Sequence, residues 1–529
     1  MVVSLTAAPL LVTAIIVPLL CILLLPVGKR GAALLQRGGD GRRRLLPPSP
    51  RGLPLVGHLH LLGALPHRAL RSLAAAHGPV LLLWLGRMPT VLVSSAAAAE
   101  EVMRARDLAF ASRPRNAMAE RLLYGRDVAF APYGEYWRQT RRICTVHLLN
   151  TRRVLSFRRV REQEAAVLVD RVHATGGVAF DLIDLLMAYS NTVVSRVAFG
   201  DECSRSLYGD VDRGRELKKV FNDFEELLGT EPVGELLPWL GWVDALRGLE
   251  GKVQRTFEAI DGVLEKVIDD HRRRREGGPH MGTDEKHQDF VDVLLDVNKM
   301  DMDAGIELDT IEIKAIILDM FAAGTDTVTT AIEWAMAELI THPHALRKTQ
   351  HELRAVVGTA GRVTEDNVDR LPYLKAVLKE TLRLHPPIPL LVPREPSADT
   401  EILGYNVPAR TRVVINASAI GRDPAAWGEH ADEFSPERFM DSNVDYKGHN
   451  FELVPFGAGR RGCPGVVFAE QTVEMALASL LYHFDWEVAT AAGRRGSPAG
   501  MSSLDMSEIN GLSVRLKYGL PLVAKPSSP

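Results

Sequence analysis

Residues 456 to 465 read FGAGRRGCPG, and the stretch offers two chemistries. Gly457-x-Gly459-x-x-Gly462 has the spacing of a turn that lays backbone N–H groups on a dinucleotide pyrophosphate. Cys463, set among glycines and arginines, is alternatively a thiolate that ligates a metal cofactor. The first chemistry requires a buried strand before the glycines and a helix after them, inside a βαβ unit. Phe451–Phe456 contains Glu452 and Pro455 and makes a poor strand, no second βα unit flanks it, and Cys463-Pro464 interrupts the point where the helix should open. Asp485 does lie about 20 residues on, where that motif places an acid, but a lone glycine spacing is a weak signal. The second chemistry fits better. Glycines admit backbone N–H donors to a sulfur, arginines supply compensating charge, and such donors tune a thiolate-ligated iron.

Three further groups could serve such a centre. The apolar run Ile311–Thr341 predicts a helix of about 45 Å at 1.5 Å per residue, apolar nearly all round and therefore buried. Its middle is polar, Ala323-Gly324-Thr325-Asp326-Thr327. Gly324 leaves room for a ligand there, and the Thr327 hydroxyl can donate back to the Ala323 carbonyl. Glu380 and Arg383 share a helix face that stops at Pro386-Pro387. As an exposed pair they would contribute only about 0.2–0.5 kcal/mol. Trp137 and Arg141, in EYWRQTRRIC, also share a face at i, i+4.

Taken together, these motifs resemble those of the cytochrome P-450 superfamily. Phe456-x-x-Gly459-x-Arg461-x-Cys463-x-Gly465 is similar to its heme-ligand signature, and the resemblance runs from the proline-rich segment to the C-terminus. It implies heme b as cofactor, Cys463 as axial thiolate and metal ligand, and Arg461, Trp137 and Arg141 as propionate partners, with Phe456, Gly459 and Gly465 shaping the loop. It implies that Asp326 and Thr327 deliver protons during oxygen activation. It also implies that Glu380, Arg383 and Arg438 (from Pro436-Glu437-Arg438-Phe439) form a buried network under the cysteine loop. One departure is Val328, where the family usually has Thr or Ser after the catalytic threonine. Within the superfamily, LPPSP, FAPYGEYWRQ and AAGTDT look like a plant microsomal enzyme of the largest plant clan.

The rest of the chain must position these groups. Helical periodicity marks Val160–Val172, Leu217–Leu227, Val253–Arg272 and Leu371–Leu384 as well. Short strands are expected at Val80–Leu85, Thr90–Ser94 and Arg412–Asn416, with two more near Leu512–Tyr518 and Leu520–Ala524. HRRRREGGPHMGTDEKHQD (His271–Asp289) reads as an exposed loop. Because strands and helices do not alternate, a doubly wound sheet is excluded. The expected architecture is mainly α with a minor β-sheet: one large domain of the cytochrome P-450 fold behind an N-terminal membrane anchor.

The 529-residue chain is 46% hydrophobic and 24% charged, the composition of a globular protein. Its net charge of −3 gives no sign of a nucleic-acid partner. Four isolated cysteines form no disulfide framework, and the absence of a C-x-x-C pair argues against structural zinc. Val2–Gly28 is uncharged and long enough to cross a bilayer. No basic residue precedes it and no small-residue cleavage pattern follows, which favours an anchor over a signal peptide. Lys29, Arg30, Arg37 and Arg42 to Arg44 then keep the body on the cytosolic side. The organisation is a transmembrane anchor (1–28), a basic, proline-rich hinge (29–57) acting as a stiff extended spacer, and a heme-binding monooxygenase domain (58–529) on the endoplasmic reticulum membrane.

The resemblance implies hydroxylation of a small lipophilic substrate with O2 and electrons from a separate NADPH–cytochrome P-450 reductase. Arg138, Arg142, Arg152 and Arg153 are either a solvated basic face or part of the surface that docks it. Candidate pocket residues are Phe321, Ala323, Ile388, Leu390, Leu391, Val392 and Ile509, within stretches the family uses for recognition; the loop Ser112–Pro132 is another such stretch. Each is equally well read as core. Substrate classes left open are indole-derived defence compounds, terpenoids and fatty acids. The rival activity is a heme-thiolate isomerase or dehydratase acting on hydroperoxides without reductase, which usually lacks the helix threonine.

Overall fold

The structure, a computed structural model, describes residues 45–208, 211–276, 288–300, 308–489 and 504–527. The apolar segment 1–28 and its basic flank lie outside these residues. At the centre is the helix Thr310–Thr341. Asp309 and Glu312 close a reciprocal capping box at its N-terminus, which fixes where the helix starts. From there its residues are buried on almost every side, as the all-round apolar pattern requires. The helices Leu182–Tyr208, Val466–His483 and Pro372–Leu384 pack around it. Two described helices, Leu182–Leu207 and Thr310–Thr341, are long and apolar enough to cross a membrane, but most of each is buried in the core.

The strands are few and short. Val80–Leu85 pairs antiparallel with Met88–Val93, which runs parallel to Arg412–Ile415 with Thr90 opposite Arg412. A second sheet places Pro521–Pro526 between Phe180–Asp181 and Phe484–Val488. Two small hairpins, 400–407 and 508–516, complete the set. The fold is mainly α with a minor β component, as expected.

The structure adds to or corrects the sequence reading at four places. The 27-residue helix Leu182–Tyr208 was not anticipated, because Ser190, Asn191, Thr192 and Ser195 interrupt its apolar pattern. Both expected C-terminal strands form, in different sheets: Val514–Leu516 pairs with Glu508–Asn510, and Pro521–Pro526 joins the other sheet. The described part of the proline-rich segment is docked on the first sheet and does not stand off as a spacer. Pro48 O accepts from Leu82 N at 2.9 Å and His58 Nδ1 accepts from Trp84 N at 2.8 Å, so this edge of the sheet is satisfied by a segment whose prolines still offer carbonyls. Finally, the arginine-rich stretch remains helical to Glu276. Arg275 pairs with Asp292 and Asp296, and Arg273 with Asp270, so the charges are tied to neighbouring carboxylates.

His271 is buried at that junction, its Nε2 3.0 Å from Asp289 Oδ2. Gly200 makes this possible. The helix Leu182–Tyr208 breaks there at φ 78°, and a Cβ would sit 2.5 Å from Asp289 Oδ2. Burial alone would lower the His271 pKa, but hydrogen bonds to Asp289 and Cys203 override it and raise the value to about 10. The folded value exceeds the unfolded one, so this stabilisation is complete below about pH 6.5 and is lost as pH rises through about 10. Thermal unfolding between pH 7 and 10 should therefore show a larger fall in midpoint for the wild type than for His271→Gln.

Candidate active site

The cysteine loop is built from its own backbone. Gly457 N donates to Val454 O at 3.0 Å, Gly462 N to Gly459 O at 2.9 Å and Cys463 N to Phe456 O at 2.8 Å. Phe456 is held edge-on against Tyr446, with ring centroids 5.2 Å apart. Gly459 has φ 68°, and a Cβ there would collide with Met103 O and Asp107. Its missing side chain thus serves the approach of the loop to the Met103–Asp107 segment. Gly465 is the glycine beside the sulfur: its N–H donates to Cys463 Sγ at 3.4 Å. Helix Val466–His483 begins immediately after, so the sulfur lies at the positive end of a helix. Burial raises the Cys463 pKa, while the Gly465 N–H and Arg141 oppose the rise. Cys463 nevertheless retains accessible surface.

Four arginines converge beside this loop. Arg141 donates to Gly462 O. Arg461 donates to Ala111 O and Ala131 O, each at 2.6 Å, and to Val128 O at 3.3 Å; its guanidinium lies 4.0 Å from the Trp137 ring centroid. Trp137 Nε1 donates to Val128 O at 3.0 Å. Arg113 donates to Ala129 O, Val392 O and Pro393 O, and Arg394 to Asp107 Oδ1 and Ala458 O. Burial first, then Arg461, Arg394 and Arg141, holds Arg113 well below the usual guanidinium range. Burial followed by Arg394 and Arg141 pushes Arg461 down to about 9. Asp127 and Asp107 offset only part of this charge.

Arg113 and Arg394 were not singled out by sequence reasoning. Ser112-Arg113-Pro114 and Pro393-Arg394 carry no periodic signal. Only the folded arrangement shows that these guanidinia are buried together.

On the central helix, Thr327 Oγ1 donates to Ala323 O at 2.6 Å. Gly324 does not provide the room for a ligand expected of it, because a Cβ there would meet Val194 Cγ2 at 2.9 Å. In the middle of this buried helix Ala323 is exposed, with Thr327 partly accessible one turn on. The helix meets the cysteine-loop helix at Gly324 and Phe468, five residues after Cys463. Asp326 is buried; Oδ1 forms an ion pair with Arg515, and Oδ2 has no hydrogen-bond partner among the described residues. Arg515 belongs to the C-terminal hairpin and was invisible to motif reading.

Behind the loop, Glu380 and Arg383 are fully buried and make a two-pronged pair at 2.7 Å on each arm. Arg383 also donates to Gly421 O, Ala431 O and Glu433 O. Arg438 reaches Glu380 Oε1 at 3.4 Å and the carbonyls of Trp427 and His430 at 3.1 Å. These three residues form one network, and every remaining guanidinium contact named here binds backbone of the 421–433 meander.

The pocket candidates separate. Phe321 is packed in the core, stacked on Phe221 at 4.0 Å and on Phe199 at 6.1 Å between centroids. Ile388, Leu390, Leu391 and Val392 are half-buried. Of these, Leu390 packs on the cluster containing Leu81 and Leu83, and Leu391 on the one containing Val91 and Val413. Ile509 is 51% exposed on its hairpin.

The residues present fit a heme. An accessible sulfur that accepts from the Gly465 N–H beside a helix N-terminus suits a thiolate ligand, and buried guanidinia in excess of carboxylates suit two propionates. The cytochrome P-450 family model matches residues 47–504, and this chain belongs to that family. It is therefore a monooxygenase-class oxidoreductase that binds heme b through a cysteine thiolate. Among curated plant proteins it is 48% identical over 474 residues to cytochrome P-450 71A1 of Persea americana, covering 89% of this chain and 91% of that one. It is 46% identical to cytochrome P-450 71A6 of Nepeta racemosa, covering 91% and 94%. To norfluorocurarine oxidase of a Strychnos species it is 43% identical, covering 91% and 92%. A solved zebra fish cytochrome P-450 with abiraterone superposes with a TM-score of 0.71 at 25% identity, covering 88% of this chain and 100% of that one.

Removing Arg383 leaves the buried Glu380 carboxylate without its two-pronged partner, at a cost of about 3–5 kcal/mol, and removing Arg438 takes away its second guanidinium together with the ties to Trp427 O and His430 O. Arg383→Ala and Arg438→Ala should each abolish heme incorporation, measured as the heme-to-protein ratio after purification. Normal loading of either variant would remove the network from its supporting role.

Proposed function

We propose that the chain hydroxylates a small lipophilic plant specialised metabolite, taking electrons from NADPH–cytochrome P-450 reductase. The observation that carries this reading is the pairing of an accessible Cys463 sulfur with an Asp326–Thr327 pair on the adjoining central helix. Heme held by a thiolate activates dioxygen and inserts one oxygen atom into a C–H bond.

The protein's own groups do the rest. Cys463 would hold the heme iron through its thiolate, and the Gly465 N–H and the helix N-terminus would stabilise negative charge on its sulfur. Arg113, Arg141, Arg394 and Arg461 would neutralise the propionates, with Trp137 backing Arg461. Asp326, whose Oδ2 has no hydrogen-bond partner among the described residues, and Thr327, whose Oγ1 donates to the Ala323 carbonyl, would relay protons towards the reacting face. Arg515 fixes the Asp326 carboxylate through Oδ1. Phe456 and Gly459 keep the loop in register. Ala323, Ile388 and Val392 border the substrate, which includes terpenoid, fatty-acid and indole-derived classes.

Arg138, Arg142 and Arg152 are exposed, which supports docking of an acidic reductase surface, whereas Arg153 is partly buried and donates to Gln288 O. The uncharged Val2–Gly28 segment with its basic flank supports anchoring in the endoplasmic reticulum membrane, with the folded body (58–529) in the cytosol. The presence of Thr327 disfavours a hydroperoxide isomerase, for which product would form without NADPH.

The reduced protein with carbon monoxide should show the red-shifted band of a thiolate-ligated heme, and Cys463→Ser should lose it; an unshifted wild-type band would end this assignment. Thr327→Ala should leave reductase-driven NADPH consumption running while product per NADPH falls at least several-fold. Unchanged coupling would strip Thr327 of its proton role.

A further inference from the structure

A small cavity lies where the helix Pro66–His77, the end of the helix Pro372–Leu384 and the C-terminal hairpin come together. Its lining includes His67, Trp334, His385, Ser418 and Glu508, and it has room for one water-sized occupant. None of the residues assigned to the heme cradle belongs to it. The side chains of His67 and His385 are only 4% and 8% exposed, and both rings are held firmly. His67 Nε2 lies 3.0 Å from Glu508 Oε2, and the His67 carbonyl accepts from Asn416 Nδ2 at 2.8 Å. His385 Nε2 lies 2.6 Å from Glu338 Oε1. The His385 ring is also stacked on the Trp334 indole, with centroids 3.9 Å apart and planes 3° from parallel.

The partners dictate where the protons sit. A carboxylate only accepts, so each Nε2 carries a proton. The Nδ1 of each ring is buried and has no hydrogen-bond partner among the described residues. A second proton there would create an imidazolium with a buried N–H that nothing accepts, which costs more than an unmet lone pair. Each histidine is therefore a neutral imidazole with a free lone pair on Nδ1. Two such imidazoles border one cavity, and each is backed by a carboxylate on its far nitrogen. A metal-ligating histidine is oriented in this way: the carboxylate fixes the tautomer, aims the ring and makes the ligating nitrogen more basic. Neutral imidazole nitrogens suit zinc, whereas magnesium and calcium take oxygen ligands. The cluster of His271 with Asp289 and Asp292 differs, because it is satisfied within itself. His271 Nδ1 lies 2.7 Å from Val267 O, its Nε2 bonds Asp289, and Asp292 pairs with Arg275, so no imidazole lone pair is free there.

We propose that His67 and His385 bind a zinc ion through their Nδ1 atoms, with Ser418 supplying an oxygen from the same cavity. The ion joins the helix Pro66–His77 to the end of the helix that carries Glu380 and Arg383. Through Glu338 and Glu508 the same clasp extends to the central helix and to the C-terminal hairpin. Heme and turnover play no part in this binding.

The test uses the tag-free, full-length, heme-loaded protein near neutral pH, with zinc alone as the probe. Equilibrium dialysis with metal analysis should give about one zinc per chain more for the wild type than for the double variant His67→Gln/His385→Gln. Glutamine keeps an N–H for Glu508 or Glu338 near the position of Nε2 but has no atom in place of the Nδ1 lone pair. Loss of the ligand is thereby separated from loss of the carboxylate bond. Each single variant should weaken zinc binding about tenfold or more, and magnesium in excess should not compete. Zinc should also raise the thermal midpoint of the wild type and leave that of the double variant in place. If the glutamine variants fail to load heme, zinc-edge X-ray absorption of the wild type at one equivalent of metal decides. Two imidazole ligands without sulfur support the site, whereas any sulfur, or another count of imidazoles, overturns it. A wild type that binds no zinc at micromolar free metal, leaving the cavity to water, would overturn the proposal, as would a stoichiometry unchanged in the double variant.

Discussion

Buried positive charge beside the cysteine loop is the constraint around which the rest of the chain is arranged. A guanidinium removed from water needs carbonyls or carboxylates in its place, and Arg113, Arg141, Arg394 and Arg461 draw theirs chiefly from backbone. The carbonyls at Ala111, Val128, Ala129 and Ala131 flank the short helix Ala117–Leu122, those at Val392 and Pro393 come from the segment after the Glu380–Arg383 helix, and those at Ala458 and Gly462 from the cysteine loop itself. Three segments distant in sequence are thereby fixed to one another by donors that cannot be left unpaired. The shape of the cradle follows from this requirement as much as from apolar packing.

The same logic, with opposite sign, governs the interior behind the loop. Glu380 is the single carboxylate to which Arg383, Arg438 and the Ser435 N–H are all directed. Because Arg383 also spans the carbonyls of Gly421, Ala431 and Glu433, a side chain near the end of one helix organises a stretch that has almost no regular structure of its own. Gly421 permits this, since a Cβ there would collide with the Arg383 carbonyl. The irregular meander before the cysteine loop is therefore held by hydrogen-bond demand where a sheet or helix would hold itself.

What could be read from the sequence reflects which interactions are local. The helix Thr310–Thr341 announced itself through its apolar continuity, and the hydrogen bond from Thr327 to Ala323 follows from i, i−4 geometry. The cysteine loop and the Glu380–Arg383 pair are short-range patterns as well. Arg113, Arg394 and Arg515 could not be found in this way, because each acquires its meaning from partners many residues away. The helix Leu182–Tyr208 was obscured by hydroxyl and amide side chains, one of which, Ser190, is paired with Thr329 across the interface. Gly324 was read as space for a ligand, and Val194 fills that space from a helix whose position no local signal supplied.

The C-terminal hairpin is fastened along one face of the central helix. Arg515 meets Asp326, Ser513 Oγ lies 2.7 Å from Thr330 Oγ1, Leu516 N donates to Glu333 Oε1 at 3.1 Å, and Trp334 Nε1 donates to Val514 O at 2.8 Å. Each of these partners is separated from the helix by more than 180 residues, apart from Trp334 and Val514 at 180. During synthesis from the N-terminus, the helix emerges long before the strand that neutralises its acid and occupies its indole. Until that strand arrives, a long apolar helix with an unpaired polar face is without part of its native cover. The turn that carries Asp326 and Thr327 is consequently among the last parts of the molecule to be completed, although it lies at its centre.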